Sequence, residues 1–215
     1  RENLRGIFAI DGIGPYEPVS EVPPALDVAP GLRPYRFTFP DSFPIPSLPR
    51  DNPLTEQGVE LGGRLFRETR LSVNNSQSCA SCHVPETAFV DGQRYSPGAL
   101  GQLGRRSAMP LFDLAWKARF FWDGRAVGLR AQVLQPIQDP LEMHETLPRV
   151  VEKLREPYRG AFGAVFADDG ITPERIAKAL EQFLLVQVTR PSRFDRAMAA
   201  GAGLTEIERR GFELF

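Results

Sequence analysis

The chain has 215 residues, with 26 Lys and Arg against 27 Asp and Glu, for a formal net charge of −1 at pH 7. That balance argues against nucleic acid or an anionic membrane surface as the main partner, and no apolar run approaches the ~20 residues of a membrane span. Twenty prolines and nineteen glycines point to one large domain, or one and a half smaller ones, of short helices joined by long ordered loops.

Residues 1–53 are proline-rich and end in Phe39-Pro40-Asp41-Ser42-Phe43-Pro44-Ile45-Pro46-Ser47-Leu48-Pro49. Proline lacks the amide hydrogen and disfavours α geometry in the residue before it. We read an extended arm on the domain surface, with Phe37, Phe39 and Phe43 filling apolar grooves; a proline-rich recognition motif is the rival reading. A helix from Thr55 to about Glu68 follows, with Val59, Leu61, Leu65 and Phe66 on or near one face and Thr55 as its cap. Asn74-Asn75-Ser76 forms a turn and leads into Cys79-Ala80-Ser81-Cys82-His83, one or two turns of helix stopped by Pro85.

Two cysteines three apart, followed at once by a histidine, are the attachment pattern of a c-type haem. Each thiol adds to a porphyrin vinyl group as a thioether, and His83 supplies the proximal iron ligand. These are the only cysteines. A thioredoxin-like pair competes, but it should open a helix after a strand, and the preceding run Asn74-Asn75-Ser76-Gln77-Ser78 is polar and loop-like. A structural zinc site would need Cys79, Cys82, His83 and the only other histidine, His144, which crowds adjacent residues onto one metal. Covalent haem is installed outside the bacterial cytoplasm, so a periplasmic, exported protein is expected. The opening Arg1-Glu2-Asn3-Leu4-Arg5 is no signal peptide, and we read the numbering as that of a mature, cleaved chain.

Beyond the motif, Phe89-Val90-Asp91-Gly92 reads as a short extended piece closed by a turn. Residues 92–110 form a long loop whose Arg94, Arg105 and Arg106 either pair with haem propionates or stand as solvated surface charges. In Arg119-Phe120-Phe121-Trp122-Asp123-Gly124-Arg125-Ala126, Phe120 or Phe121 belongs to the core and Trp122 stands out. Helix is expected from Leu129 to Leu134, broken by Pro136, then over Leu147 to Leu154, Pro157 to Phe166, from Thr172-Pro173-Glu174, over Ser192 to Ala199, and from Thr205. Ile176, Ala179, Leu180, Phe183 and Leu184 make an apolar stripe of core residues.

Several of these segments together resemble the amino-terminal haem domain of bacterial di-haem cytochrome c peroxidases, a superfamily that includes the MauG-like enzymes. They are Leu65-Phe66, Arg70-Leu71-Ser72, Ser78 to His83, Ala88 to Gly92, Gly104-Arg105-Arg106 and Arg119 to Arg125. The prolines of residues 40–53 are similar to the MbnH-like branch. The resemblance runs over roughly residues 53–215 and implies an all-α, class I cytochrome c-like fold. It divides the chain into the arm (1–53), a haem domain (54–200) and the start of a second cytochrome c domain (201–215). It implies a peroxide-activating oxidoreductase in which Cys79, Cys82 and His83 hold the peroxidatic haem, with Arg105 and Arg106 beside it. The inter-haem tryptophan falls on Trp122, the distal glutamine on Gln132, the distal proline on Pro136 and the distal glutamate on Glu142. Hydrogen peroxide is the implied substrate, with electrons from a small cytochrome c, a copper protein or an oxidised substrate protein. Three departures stand out. Residues 92–110 contain no histidine to ligate the resting iron, so the sixth position should be open or water-bound unless His144 reaches it. Ser107 replaces the asparagine that helps hold the family's calcium. The second haem motif, expected soon after Gly211 to Phe215, does not occur in this sequence, so that either that half is left out or this is a one-haem relative. The competing function is an electron-transfer cytochrome subunit without peroxidase turnover, whose second axial ligand would be His144, Met109, Met143 or Met198.

Overall fold

The computed structural model describes residues 20–22, 28–168, 170–201 and 203–215; the expectations for residues 1–19 and 23–27 lie outside it. The described part is mostly helical with two short antiparallel ribbons. β1 (Ser20–Val22) pairs with β2 (Phe37–Phe39), Ser20 opposite Phe39, and β3 (Arg119–Phe120) pairs with β4 (Ala126–Val127). The α-helices among the described residues are α1 (Glu56–Phe66), α2 (Cys79–Cys82), α3 (Leu129–Val133), α4 (Gln135–Gln138), α5 (Leu147–Phe166), α6 (Pro173–Leu185), α7 (Arg193–Ala200) and α8 (Glu206–Leu214). Phe37 and Phe39 are buried, and with Phe43 they close around Trp116, whose Nε1 donates to the Pro44 carbonyl at 2.6 Å.

The scaffold is α1 crossed on α6. α1 starts where the Thr55 hydroxyl accepts the Gly58 amide, and its buried Val59, Leu61, Leu65 and Phe66 give it one apolar face. Gly58 and Gly62, one turn apart, let α6 approach closely. A β-carbon on Gly62 would overlap the Ala179 carbonyl oxygen and stand 2.6 Å from Phe183 Cβ. Ile176, Ala179, Leu180, Phe183 and Leu184 are buried, as the stripe requires. Two buried polar side chains complete the crossing. Gln182 Oε1 accepts the Thr55 amide at 2.9 Å, and its Nε2 donates to Asn52 Oδ1 at 2.9 Å. Asn52 Nδ2 in turn donates to Glu181 Oε2 at 2.7 Å, where Arg130 also donates at 2.8 Å.

Two local expectations are corrected and a third is extended. Residues 147–166 form one helix, not two, with Pro157 inside it. Proline there costs ~3 kcal/mol, but Val150, Leu154, Tyr158, Phe162 and Val165 recur on one buried face across it, and each buried side chain contributes ~1.5–3 kcal/mol. α3 does end before Pro136, at Val133, but Pro136 then stands in the first turn of a further helix, α4, as first-turn prolines do. Finally, Phe89 is not extended, because both Ala88 (φ 59°) and Phe89 (φ 60°) are left-handed.

Candidate active site

The attachment segment is set by its own polar flank. In α2, Ser78 and Ser81 satisfy each other's amides in a capping box, and the His83 amide closes the turn onto the Cys79 carbonyl at 2.9 Å. Cys79 and Cys82, three apart, share one helix face. Burial pushes the Cys79 thiol up to about 12 and raises that of Cys82 as well. This is the reverse of the depressed thiol that a disulfide oxidoreductase needs. No group of three or more His, Cys, Asp or Glu side chains able to hold a metal ion occurs among the described residues.

The two left-handed residues explain the orientation of His83. They turn the chain after Pro85 so that the Phe89 amide meets the Val84 carbonyl at 2.9 Å and the Phe89 carbonyl meets His83 Nδ1 at 3.0 Å. Phe89 itself is fully buried, edge-on to Phe66 at 5.9 Å. A carbonyl acceptor on Nδ1 fixes the tautomer that leaves Nε2 for a metal. Burial lowers the His83 pKa against the pull of the Phe89 carbonyl, which favours the neutral imidazole that can bind a metal. Two unpaired thiols on one face and an oriented imidazole fit a covalently attached haem.

On the other flank, Gln132 lies on α3, Pro136 on α4 and Glu142 on the loop to α5, all partly buried. The Met143 amide donates to the Pro136 carbonyl at 3.1 Å, which brings the Glu142 loop against α4. Neither the Gln132 side-chain amide nor the Glu142 carboxyl has a hydrogen-bonding partner among the described residues. Burial, then the Asp139 carboxylate, pushes Glu142 up to about 7, with the Arg125 guanidinium opposing. Its carboxylate adds a smaller upward push to the thiols of both Cys79 and Cys82. His144, two residues on, is left-handed (φ 53°) and exposed.

Trp122 stands at the tip of the β3–β4 turn, 57% exposed, its Nε1 donating to the Ser107 carbonyl at 3.0 Å. Beside it, Arg125 lies 3.5 Å over the Phe121 ring, and Asp123 pairs with Arg125 and, at 2.9 Å, with Arg106. Arg106 is thus committed to Asp123, whereas Arg105 is exposed and has no side-chain partner among the described residues. Sequence reasoning missed the Phe89 carbonyl, whose signal would have been a helix-ending proline with only non-glycine residues left to turn the chain. It also missed Asp123 as the partner of Arg106.

A mostly helical scaffold in which Cys79, Cys82 and His83 stand in the Cys-x-x-Cys-His pattern, with His83 Nδ1 held by a carbonyl, fits a c-type haem protein. The family described as di-haem cytochrome c peroxidase matches residues 56–202, and the chain belongs to it. Over 183 residues it is 36% identical to the methylamine utilization protein MauG of Methylophilus methylotrophus, covering 84% of this chain and 54% of that one. Over 176 residues it is 35% identical to the cytochrome c551 peroxidase of Nitrosomonas europaea, covering 80% and 52%. Among solved structures, a MauG-like protein associated with microbial copper homeostasis superposes with a TM-score of 0.74 at 35% identity, covering 82% of this chain and 53% of that one. The chain therefore spans about half the length of the relatives it matches. Membership implies haem c as the cofactor.

Proposed function

We propose that this chain is the peroxide-activating haem domain of a di-haem cytochrome c peroxidase or MauG-like oxidoreductase, exported to the periplasm and carrying one covalent haem c on Cys79 and Cys82. A second haem c belongs to the other half of the protein. The observation that carries the reading is the half-buried Glu142 carboxyl, without a hydrogen-bonding partner among the described residues and pushed up to about 7. When bound, the haem supplies an iron that takes peroxide and accepts its oxidising equivalents. With the haem bound, a carboxylate oxygen of Glu142 would take a proton from one peroxide oxygen and return it to the other; a group with a pKa near the working pH does this best. The Gln132 side-chain amide, free of protein partners, orients peroxide or water. Pro136 walls the pocket without adding an amide donor. Trp122 offers an oxidisable indole for the return of electrons from a second haem or a protein donor.

The test is the optical spectrum of the ferric, haem-loaded protein before and after one equivalent of hydrogen peroxide. A high-spin spectrum that changes with peroxide, and fails to change in Glu142→Gln, is the expected result. A low-spin spectrum indifferent to peroxide means an occupied sixth position and an electron carrier instead.

A further inference from the structure

An acid–base group on a loop is only as well placed as whatever holds the loop. The Glu142 backbone is held from two directions. The Ala99 amide donates to its carbonyl at 2.7 Å, and Gly98 lies so close that a β-carbon there would stand 2.9 Å from that same oxygen. On the other side, the Val73 amide donates to the Met143 carbonyl at 2.9 Å.

A buried ion pair to which no role has yet been given stands behind the second contact. Lys153, on α5, places Nζ 2.5 Å from Glu145 Oε2 and donates to the Ser72 carbonyl at 2.7 Å and the Val73 carbonyl at 3.3 Å. The two side chains are only 15% and 7% exposed. An ammonium has three protons, and here each has an acceptor. Glu145 is fixed in turn, since its Oε1 accepts the Thr146 amide at the start of α5 and its own amide donates to the Ile137 carbonyl, both at 2.8 Å. One ammonium therefore joins the segment that leads into the attachment helix to the loop that carries Glu142. Against apolar residues of the same volume, a pair this buried adds little net stability. What it fixes is the spacing of the two loops.

We propose that Lys153 is the positioning residue of Glu142, acting through Glu145 and the Ser72 and Val73 carbonyls to set the acid–base carboxyl against the haem-bearing helix. The inference rests on the reading of Glu142 given above. The test uses the haem-loaded protein and three variants: Lys153→Met, the doubly neutral Lys153→Met/Glu145→Gln, and Lys153→Arg, which keeps the charge. Two quantities are read, hydrogen exchange at the Val73 amide and the second-order rate constant with peroxide. Misplacement of a catalytic group by ~1 Å costs up to about a hundredfold in rate, so both methionine variants should lose about tenfold or more, with faster exchange at Val73. The double variant strands no buried charge and should melt near the wild type, which separates positioning from stability. Lys153→Arg has a planar fork that cannot meet two carbonyls and a carboxylate as the ammonium does, and it should move both readings in the same direction by about threefold. An exposed control, Lys117→Met, should move neither. A double variant with wild-type rate and exchange overturns the proposal, as does a fall in rate without faster exchange at Val73. Should Glu142→Gln itself react at the wild-type rate, the acid–base reading fails. Exchange at Val73 then still decides whether Lys153 holds the loop.

Discussion

Gly62→Ala and Gly160→Ala are the same chemical change in the interiors of two helices, and the structure gives them opposite signs. Helix propensity alone favours alanine over glycine by ~0.8–1 kcal/mol at either site. Gly160, on the exposed side of α5, has nothing within 4 Å of a β-carbon, so the full gain is expected there. At Gly62 the β-carbon would overlap the Ala179 carbonyl oxygen, which is backbone and cannot rotate away. α1 must then lift off α6, straining the Thr55–Gln182–Asn52 hydrogen bonds beside the crossing. Overpacking of this kind costs ~1–3 kcal/mol, and loosened buried hydrogen bonds add ~1 kcal/mol, for a net loss of about 1–3 kcal/mol after the propensity gain. In a chain of this size each kcal/mol moves the melting temperature by about 2–4 °C. Thermal unfolding followed by circular dichroism should therefore show Gly160→Ala up by about 2–4 °C and Gly62→Ala down by about 2–12 °C, with the haem spectrum unchanged in both. A Gly62→Ala protein more stable than the wild type would refute the close crossing of α1 on α6.

The remaining predictions concern titration and buried contacts. Because the folded state holds the Glu142 proton more tightly than the unfolded chain, its contribution to stability is full below about pH 4.5 and is lost as pH rises through about 7. Glu142→Gln should match the wild type at pH 4 and exceed it by about 1–3 kcal/mol at pH 8 in urea unfolding, even as it loses the peroxide reaction. In the wild type the rate constant with peroxide should rise with pH to a plateau above about 7, as the carboxylate form is the base. Tyr158 donates to Glu68 Oε2 at 2.8 Å in a buried setting. Tyr158→Phe, which withdraws that hydrogen bond to a charged acceptor, should cost ~1.5–3 kcal/mol by the same urea assay. Trp122→Phe should leave the first reaction with peroxide intact and slow turnover with an electron donor, measured by steady-state donor oxidation.

The parts legible in the sequence are those written in local chemistry. Thr55, Thr172, Ser192 and Thr205 each cap the helix expected after them, and the α6 stripe is buried as its spacing implies. α5 was not legible across Pro157, because the energy that carries a helix through proline comes from a face whose partners lie elsewhere in the chain. The left-handed pair Ala88-Phe89 carries no glycine or asparagine to announce it. At the site, residue types were readable but their dependence on one another was not. Arg106 looks like an anion-binding side chain until Asp123, 17 residues on, is found beside it.

The clasp of Asn52 on Gln182 joins positions 130 apart, and nearly every residue assigned to the site lies between them. Closing so long a loop costs ~4 kcal/mol in chain entropy before any contact of α1 with α6 rewards it. The attachment helix, by contrast, is a local turn that needs only its own serines. The helix that bears Cys79 and Cys82 can thus form in a chain whose long loop is still open.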